Sequence, residues 1–313
     1  MKVAILDDYQ SVALRMADWS PVTQRAEITV FADHVEDPDA LIDRLAPFDV
    51  VCVMRERTPL PRAVLERLPR LKMIASTGPF NASIDMAAVE ELGIHVGTTG
   101  GSVASTIELT WALILAAARS LPAENRSVRA GGWQTTVGTE LSGKVLGVLG
   151  LGRIGAQVAR IGGAFGMDVI AWSQNLTPQA AAGAGARYVP RDDLFGTSDV
   201  LTVHLKLSDR SRGLVGSAEL AAMKPTALLI NTSRGPIVDE AALVDALRVN
   251  TIAGAALDVF DTEPLPAGHP LRTLDNVLAT PHIGYVADKP YRIFFHDAVA
   301  AISRWLDQHS DES

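Results

Sequence analysis

The sequence is poor in cysteine, in long apolar runs and in excess positive charge. Cys52 is the only cysteine among 313 residues, so the chain can form neither an internal disulfide nor a thiolate zinc site. No apolar run approaches the ~18 residues that span a bilayer, and the apolar start of the chain reaches Asp7 too soon for a signal peptide. The formal net charge of -8 offers no general attraction for nucleic acid or anionic lipid. We therefore expect a cytoplasmic protein without a metal, nucleic-acid or membrane partner.

Short β-rich segments alternate with helix-like segments along most of the chain. This alternation predicts an α/β fold in which helices cover both faces of parallel, doubly wound sheets. The first series comprises segments at 3–6, 41–45, 50–54, 62–68 and 71–75, and the second comprises segments at 145–149, 154–165, 169–172, 200–205, 227–231 and 252–257. A long helical stretch over 103–119, closed by Pro122, and a Gly- and Thr-rich arm over 130–143 lie between the two series. We therefore expect two domains, each with its own sheet.

A glycine motif stands at the start of the second series, between a strand-like run and a helical pattern. Its first glycine permits a tight turn, its second lets the backbone approach a pyrophosphate, and its third lets the helix pack closely on the strand. The N-terminus of the helix adds N–H donors and a favourable dipole. The motif therefore predicts a dinucleotide site, with contacts at Gly150, Gly152, Arg153, Ile154 and Gly155.

The residues after the next strand bear on the choice of cofactor. An acidic side chain about 20 residues after the motif would bind the ribose diol of NAD, but the strand 169–172 is followed by Ser173 and Gln174. The missing carboxylate favours NADP, although no arginine follows at once to hold a 2′-phosphate. Arg153 and Lys206 are candidates for that role, and the alternative is that both are solvated cations. We expect NADP or NAD, with an inclination toward NADP.

Three later segments each place a polar residue after an apolar run. They contain Arg234 in Asn-Thr-Ser-Arg-Gly, Glu263 in Asp-Thr-Glu-Pro and His282 in Thr-Pro-His-Ile-Gly. Ligands bind at the carboxyl ends of parallel strands, so we expect these side chains near the cofactor. A guanidinium can hold a carboxylate and polarise a carbonyl, an imidazolium can deliver a proton near neutral pH, and a carboxylate can orient the imidazole. This set suits the reduction of a 2-keto acid.

These segments resemble the D-isomer-specific 2-hydroxyacid dehydrogenase family, and the resemblance extends over nearly the whole chain. It makes Arg234 the substrate arginine, Glu263 the partner glutamate and His282 the acid/base histidine. It further implies cofactor contacts at Thr232 and Asp258 near the nicotinamide and at His204 and Lys206 near the adenosine. Lys206 departs from the family pattern, which usually has proline there.

The resemblance also implies a domain arrangement. It predicts two Rossmann-like or flavodoxin-like domains with a cleft between them. A discontinuous substrate domain would contain residues 1–98 and 286–313, and a dinucleotide-binding domain would contain residues 99–285. In this family dimers form largely through the helix and arm that correspond to 103–143 here, so we expect a homodimer.

Two loops of the first domain become substrate loops by the same resemblance. Arg55 is the expected contact in one loop, and Gly78 and Phe80 are the expected contacts in the other. The family's usual Gly-Val-Gly is replaced by Gly78-Pro79-Phe80, and Pro79 has no N–H to donate. Phe80 would narrow or reshape the pocket, so the resemblance does not identify the substrate.

The expected function is hydride transfer between NAD(P)H and C2 of a small anionic 2-keto acid, or the reverse reaction of a D-2-hydroxy acid. Glyoxylate, hydroxypyruvate and a phosphorylated relative are the substrates that the resemblance implies. The alternative is a nucleotide-sensing interaction protein that keeps the fold without significant turnover. An intact set of Arg234, Glu263 and His282 favours the enzyme.

Overall fold

The computed structural model describes residues 1–309, which form two compact units. The first unit contains Met1–Ser102 together with the C-terminal segment that starts at Val286. The second unit contains Val103–Tyr285. The chain therefore leaves the first unit once, completes the second, and returns.

The expected first break, after residue 98, lies a few residues before this division. The chain beyond residue 98 still bonds within the first unit. The Gly78 amide donates to Thr99 Oγ1 at 2.6 Å, and the Gly100 amide donates to Asp297 Oδ2 at 2.9 Å. These bonds keep the segment that follows the last strand of the first unit attached to it.

The first unit is built on a five-stranded parallel sheet with the strand order β2-β1-β3-β4-β5. Its strands are β1 (Lys2–Ile5), β2 (Glu27–Val30), β3 (Val50–Val53), β4 (Met73–Ser76) and β5 (His95–Thr98). Its helices are α1 (Ala13–Met16), α2 (Ser20–Thr23), α3 (Pro38–Leu45), α4 (Arg62–Leu65), α5 (Met86–Glu91) and, from the returning segment, α13 (Asp288–Gln308). Every residue of β3 and β4 is buried, as expected for a parallel sheet covered on both faces.

Helix α13 joins the core of the first unit through aromatic side chains. Phe295 is fully buried, and its ring centroid lies 6.4 Å from that of Trp19 and 5.8 Å from that of Tyr291. Burial of large aromatic rings is a strong source of packing energy. The returning segment is thus an integral part of this unit.

The second unit is built on a seven-stranded parallel sheet with the strand order β12-β11-β10-β9-β6-β7-β8. Its strands are β6 (Val145–Leu149), β7 (Asp168–Trp172), β8 (Arg187–Tyr188), β9 (Val200–Val203), β10 (Leu228–Asn231), β11 (Gly254–Leu257) and β12 (Val277–Ala279). Its helices are α6 (Ala104–Ala118), α7 (Leu121–Arg129), α8 (Gly155–Ala164), α9 (Pro178–Gly183), α10 (Arg191–Thr197), α11 (Ser217–Ala222) and α12 (Glu240–Arg248). The two sheets confirm the predicted α/β fold with parallel, doubly wound sheets.

The strand order of the second unit changes direction at β6. From β6 the chain runs outward through β7 and β8, and it then returns to the other side of β6 with β9. Such a switch point opens a crevice at the carboxyl ends of the two central strands, where α/β proteins bind ligands. The glycine motif follows β6 directly, so it lies at this point.

Helix α7 was not predicted from the sequence. Pro122 was expected to close the long helix over 103–119, but that helix ends at Ala118 and Pro122 lies in the first turn of α7. A proline is tolerated there because the first amides of a helix have no partner within it. Residues 131–143 contain neither helix nor strand, in agreement with the predicted arm.

Candidate active site

The ends of three neighbouring strands lead to the polar side chains that the sequence singles out. Strands β10, β11 and β12 pair in parallel so that their last residues lie opposite one another. Arg234 and His282 each lie three residues beyond this aligned row, and Glu263 lies six residues beyond it. Because carboxyl ends of parallel strands share one edge, all three residues belong to the same side of one sheet.

Glu263 and His282 form a short hydrogen-bonded pair. Glu263 Oε2 lies 2.5 Å from His282 Nδ1, and the two side chains are 26% and 18% exposed. The other carboxylate oxygen accepts a hydrogen bond from the Phe260 amide at 2.9 Å, which fixes the glutamate. An ionised carboxylate can only accept, so the proton of the pair resides on Nδ1. The other ring nitrogen of His282, Nε2, takes no part in this pair.

Asp258 holds the turn that carries His282. The backbone of His282 has a φ of +52°, a left-handed conformation that is costly for a residue other than glycine. The buried Asp258 accepts hydrogen bonds from the Thr280 hydroxyl at 2.6 Å and from the amides of Ile283 at 2.8 Å and Gly284 at 2.9 Å. Burial raises the pKa of Asp258, and these donors oppose the rise. The turn is thus held on both sides of the histidine.

Arg234 lies in a loop whose backbone is fixed by Asn231. The Asn231 side chain accepts from the Ser233 amide and donates to the Arg234 carbonyl, both at 3.0 Å. The Ser233 hydroxyl donates to the Leu205 carbonyl, which ties the loop to the chain after β9. Arg234 itself is partly buried, and its Nη1 donates to the Ser233 carbonyl at 2.7 Å. The guanidinium is therefore attached to a backbone with little freedom.

The three glycines of the motif differ in whether the surrounding protein leaves room for a side chain. Gly150 has a φ of +101°, and a Cβ at this position would lie 2.8 Å from the carbonyl carbon of His204. A Cβ on Gly155 would lie 2.1 Å from the carbonyl oxygen of Gly150. A Cβ on Gly152, by contrast, would meet nothing within 4 Å. The fold accounts for the first and third glycines, whereas the second leaves open space beside the turn.

The start of α8 provides hydrogen-bond donors next to that space. The first backbone bond of the helix runs from the Ala156 amide to the Gly152 carbonyl at 2.9 Å. The amides of Arg153, Ile154 and Gly155 precede this bond, as the first amides of a helix do. Helix N-termini of this kind bind phosphate through their amides and dipole. The turn therefore fits the pyrophosphate of a dinucleotide.

The residues expected at the adenosine end flank the glycine turn. Ser173 and Gln174 follow β7, and His204 and Lys206 follow β9, with β6 between the two strands. Gln174 and Lys206 are exposed, and Ser173 and His204 are partly buried. His204 Nε2 lies 2.9 Å from Thr202 Oγ1, and burial lowers the pKa of His204 to about 4. Its ring is therefore neutral at neutral pH.

The predicted substrate residues Arg55, Gly78 and Phe80 all lie in the first unit, after β3 and β4. Arg55 has a φ of +53°, its amide donates to Thr77 Oγ1 at 2.8 Å, and its carbonyl accepts from Asn81 Nδ2 at 2.6 Å. Gly78 has a φ of +90°, and a Cβ there would lie 1.6 Å from Arg55 Nη1. The Arg55 side chain thus lies against Gly78, and the positive φ of Gly78 is the feature that favours a glycine there. Phe80 is 68% exposed.

Three threonines make polar contacts that sequence reasoning missed. Thr280 donates to the buried aspartate, and its place two residues before the predicted histidine was a usable signal. Thr106 Oγ1 donates to the Gly284 carbonyl at 3.0 Å, and Thr110 Oγ1 lies 2.8 Å from Thr232 Oγ1. Thr106 and Thr110 lie in the apolar helix α6, far from their partners in the sequence, so no local pattern indicates them.

Residues 1–309 show neither a metal-holding cluster, nor a membrane-spanning helix, nor an activated thiol. In that range no group of three or more His, Cys, Asp and Glu side chains is arranged to hold a metal ion. Across the same residues, no helix combines the length and the apolar character that a bilayer crossing demands. Burial raises the pKa of the Cys52 thiol to about 12, so this thiol is protonated and a poor nucleophile at neutral pH.

Comparison with known proteins gives a family match within the second unit. Residues 111–284 match the family model described as "D-isomer specific 2-hydroxyacid dehydrogenase, NAD binding domain". This range contains the glycine turn and the loops that carry Arg234, Glu263 and His282. The match begins after Thr106 and Thr110 and does not include the loops of the first unit that carry Arg55, Gly78 and Phe80.

Individual relatives extend the similarity to most of the chain. A glyoxylate reductase of Aeropyrum pernix is 46% identical over 229 residues, which cover 70% of this chain and 68% of that protein. A D-3-phosphoglycerate dehydrogenase of Methanocaldococcus jannaschii is 40% identical over 250 residues, which cover 79% of this chain but only 47% of that protein. The crystal structure of a phosphoglycerate oxidoreductase from Vibrio cholerae has a TM-score of 0.93 and 40% identity, and the match covers 98% of this chain and 99% of that one.

Proposed function

Because the chain belongs to the D-isomer-specific 2-hydroxyacid dehydrogenase family, we propose that it interconverts a small 2-keto acid and the D-2-hydroxy acid. Membership of this family makes it a nicotinamide-dependent oxidoreductase of 2-hydroxy acids. The family match confirms the resemblance inferred from the sequence. The observation that carries the proposal is the 2.5 Å pair of Glu263 and His282 on the same sheet edge as Arg234. An oriented imidazole and a fixed cation are what acid/base chemistry on a carboxylate-bearing carbonyl needs.

Each of the three side chains has its own task in this proposal. The guanidinium of Arg234 offers a cation with two parallel donors, so it binds the substrate carboxylate and polarises the adjacent C2 carbonyl. His282 Nε2 gives a proton to the C2 oxygen during reduction and takes it back during oxidation. Glu263 keeps the proton of the pair on Nδ1, which orients the ring. When bound, a reduced nicotinamide supplies the hydride that reaches C2.

We assign the nucleotide to the second unit and the substrate loops to the first. Gly152 and the first amides of α8 would hold the pyrophosphate, because the open space at Gly152 has no use within the fold. Thr232 and Asp258 would face the nicotinamide end, since both follow strands next to the acid/base pair. In the first unit, Arg55 and the neighbouring Gly78 and Phe80 would contact the substrate.

We further propose that NADP is preferred over NAD. Ser173 stands directly after β7, and neither it nor the exposed Gln174 carries a negative charge to repel a 2′-phosphate. The exposed side chains of Arg153 and Lys206 could supply the positive charge. The ratio of kcat/KM for NADPH to that for NADH tests this preference. A strong preference for NADH would refute it.

A second copy of the chain is the partner we propose for residues 103–143. Helix α7 has no buried residue, and in the following arm Trp133 is 73% exposed and Val137 is 99% exposed. The arm is nevertheless ordered, because Glu124 accepts hydrogen bonds from the amides and hydroxyls of Thr135 and Thr136. Such an ordered apolar surface suits an isologous dimer. Light scattering should give the mass of a dimer, and replacement of Trp133 and Val137 by aspartate should give a monomer.

The decisive experiment measures turnover with a panel of 2-keto acids. Glyoxylate, hydroxypyruvate, its 3-phosphate and pyruvate would each be offered with NADH and with NADPH, and oxidation of the nucleotide followed at 340 nm. The proposal expects turnover with at least one acid. For the acids whose product is chiral, which excludes glyoxylate, it expects the reverse reaction with the D enantiomer only. A protein that binds the nucleotide but turns over none of these acids would instead support the sensing alternative.

A further inference from the structure

A buried pair of threonine hydroxyls connects helix α6 to the end of strand β10. Thr110 Oγ1 lies 2.8 Å from Thr232 Oγ1, and the two residues are 0% and 7% exposed. Thr110 Oγ1 also lies 2.7 Å from the carbonyl oxygen of Thr106, one helical turn earlier. The Thr110 hydroxyl therefore takes part in two short contacts and has no access to solvent.

The number of protons decides the direction of both bonds. A carbonyl oxygen can only accept, so the single hydroxyl proton of Thr110 belongs to the bond with Thr106. The bond between the two hydroxyls then needs a proton from Thr232, which donates to Thr110. With its proton committed in this way, the Thr232 hydroxyl has only lone pairs to offer to a ligand.

The neighbouring aspartate offers only lone pairs as well. Asp258 Oδ1 accepts from the Thr280 hydroxyl and the Ile283 amide, and Oδ2 accepts from the Gly284 amide. A carboxylate has about four acceptor positions, so Oδ2 retains capacity for one more donor. The adjacent ends of β10 and β11 thus present hydrogen-bond acceptors at Thr232 and Asp258.

We infer that Thr110 is a positioning residue, which sets the Thr232 hydroxyl as an acceptor for the amide N–H₂ of the nicotinamide carboxamide. The inference rests on the proposed function, because it takes the nicotinamide end to lie at Thr232 and Asp258. Thr110 does not touch the ligand. It acts only by accepting the hydroxyl proton of Thr232 in the bond between the two side chains. The carboxamide is then recognised by its amino group, and a ligand with a methyl group in that place lacks the donor.

The test compares two dinucleotides that differ at this one group. Of NADH and NADPH, the nucleotide that binds more tightly is titrated by fluorescence against its 3-acetylpyridine counterpart, in which a methyl group replaces the amino group. The wild-type protein should bind the acetylpyridine form at least about ten-fold more weakly. Thr110→Val should reduce that ratio by about three- to ten-fold, the usual scale of one neutral hydrogen bond, because the Thr232 proton is released. Thr110→Ser should preserve the ratio.

A control on the same helix separates this effect from simple destabilisation. Ser105 is buried, and its hydroxyl has no hydrogen-bond partner among the described residues, so Ser105→Ala should leave the ratio unchanged. Should Thr110→Val fail to fold, Thr110→Ala removes the same acceptor without adding bulk. Thr232→Val should also reduce the ratio.

Two results would overturn the inference, and they can be told apart. An unchanged ratio in a folded Thr110→Val or Thr110→Ala protein, or in Thr232→Val, contradicts the inference alone. A wild-type protein that binds neither dinucleotide contradicts the proposed function, and the inference fails with it.

Discussion

Replacement of Gly152 by alanine should separate ligand binding from folding. The backbone at Gly152 is outside the left-handed region, and a Cβ there would meet no protein atom within 4 Å. The free energy of unfolding should therefore change by no more than about 0.5 kcal/mol, as for surface substitutions in general. The added methyl group would instead occupy the space in which the pyrophosphate approaches the backbone.

The expected loss of affinity follows from the bonds that the methyl group prevents. Two charge-assisted hydrogen bonds between a phosphate and the first amides of α8 would contribute roughly 1.5 kcal/mol each. Loss of both should raise the Kd of the dinucleotide by about 100-fold, since a factor of ten corresponds to about 1.4 kcal/mol. Fluorescence titration gives the Kd, and urea denaturation of the unliganded protein gives the free energy of unfolding.

Two glycines of the following helix, α8, serve as controls. A Cβ on Gly155 would lie 2.1 Å from a backbone oxygen, so Gly155→Ala should destabilise the unliganded protein by about 1–3 kcal/mol or more. Gly163 lies in α8 with nothing within 4 Å, so Gly163→Ala should stabilise it by up to about 1 kcal/mol and leave the Kd unchanged. Wild-type affinity in Gly152→Ala would refute the placement of the pyrophosphate, and an unfolded variant would refute the packing argument.

Three further predictions concern the sheet edge of the second unit. His282→Gln should keep the Kd of the dinucleotide within about two-fold and lower kcat by at least about 100-fold; a fully active variant would contradict its acid/base role. Arg234→Ala should raise KM and lower kcat together, and Arg234→Lys should recover only part of kcat/KM, because an ammonium cannot bind a carboxylate in the bidentate geometry of a guanidinium; full recovery in steady-state assays would argue against that geometry. Burial lowers the pKa of His204 to about 4, so protonation favours the unfolded chain. Its contribution to the free energy of unfolding should be complete above pH 6.5 and fall by roughly 2–3 kcal/mol by pH 4. His204→Gln should lose less stability over this range in urea denaturation, and an equal loss would count against a neutral ring at this position.

The strands that sequence reasoning missed lie at the edges of the sheets. Strands β2 and β5 bound the first sheet, and β8 bounds one side of the second. None of them contains a buried residue, whereas β3, β4, β9 and β11 are buried throughout. A central parallel strand is covered on both faces and so shows a continuous apolar run, which an edge strand does not need. The pattern that reveals the middle of such a sheet is therefore weak at its margins.

The part of the candidate site that could be predicted from the sequence consists of side chains that follow the ends of strands. Arg234, Glu263 and His282 were found because each follows an apolar run and has the side chain that the reaction needs. Thr106 and Thr110 escaped notice because their bonds join residues 178 and 122 positions apart in the chain. Contacts of that kind depend on how a helix packs across the sheet, and no local pattern of residues encodes them.

The aligned ends of β10, β11 and β12 fix where the functional side chains begin. Each side chain lies a set number of residues beyond the end of its own strand. A residue inserted within one of these strands would turn its side chains to the opposite face and displace everything beyond. A residue inserted in the connection that precedes one of these strands would leave the strand end in place. The number of residues from that end to the functional side chain would not change. Across distant relatives, the intervals between the arginine, the glutamate and the histidine should therefore vary in length. The number of residues from each strand end to its functional side chain should stay the same.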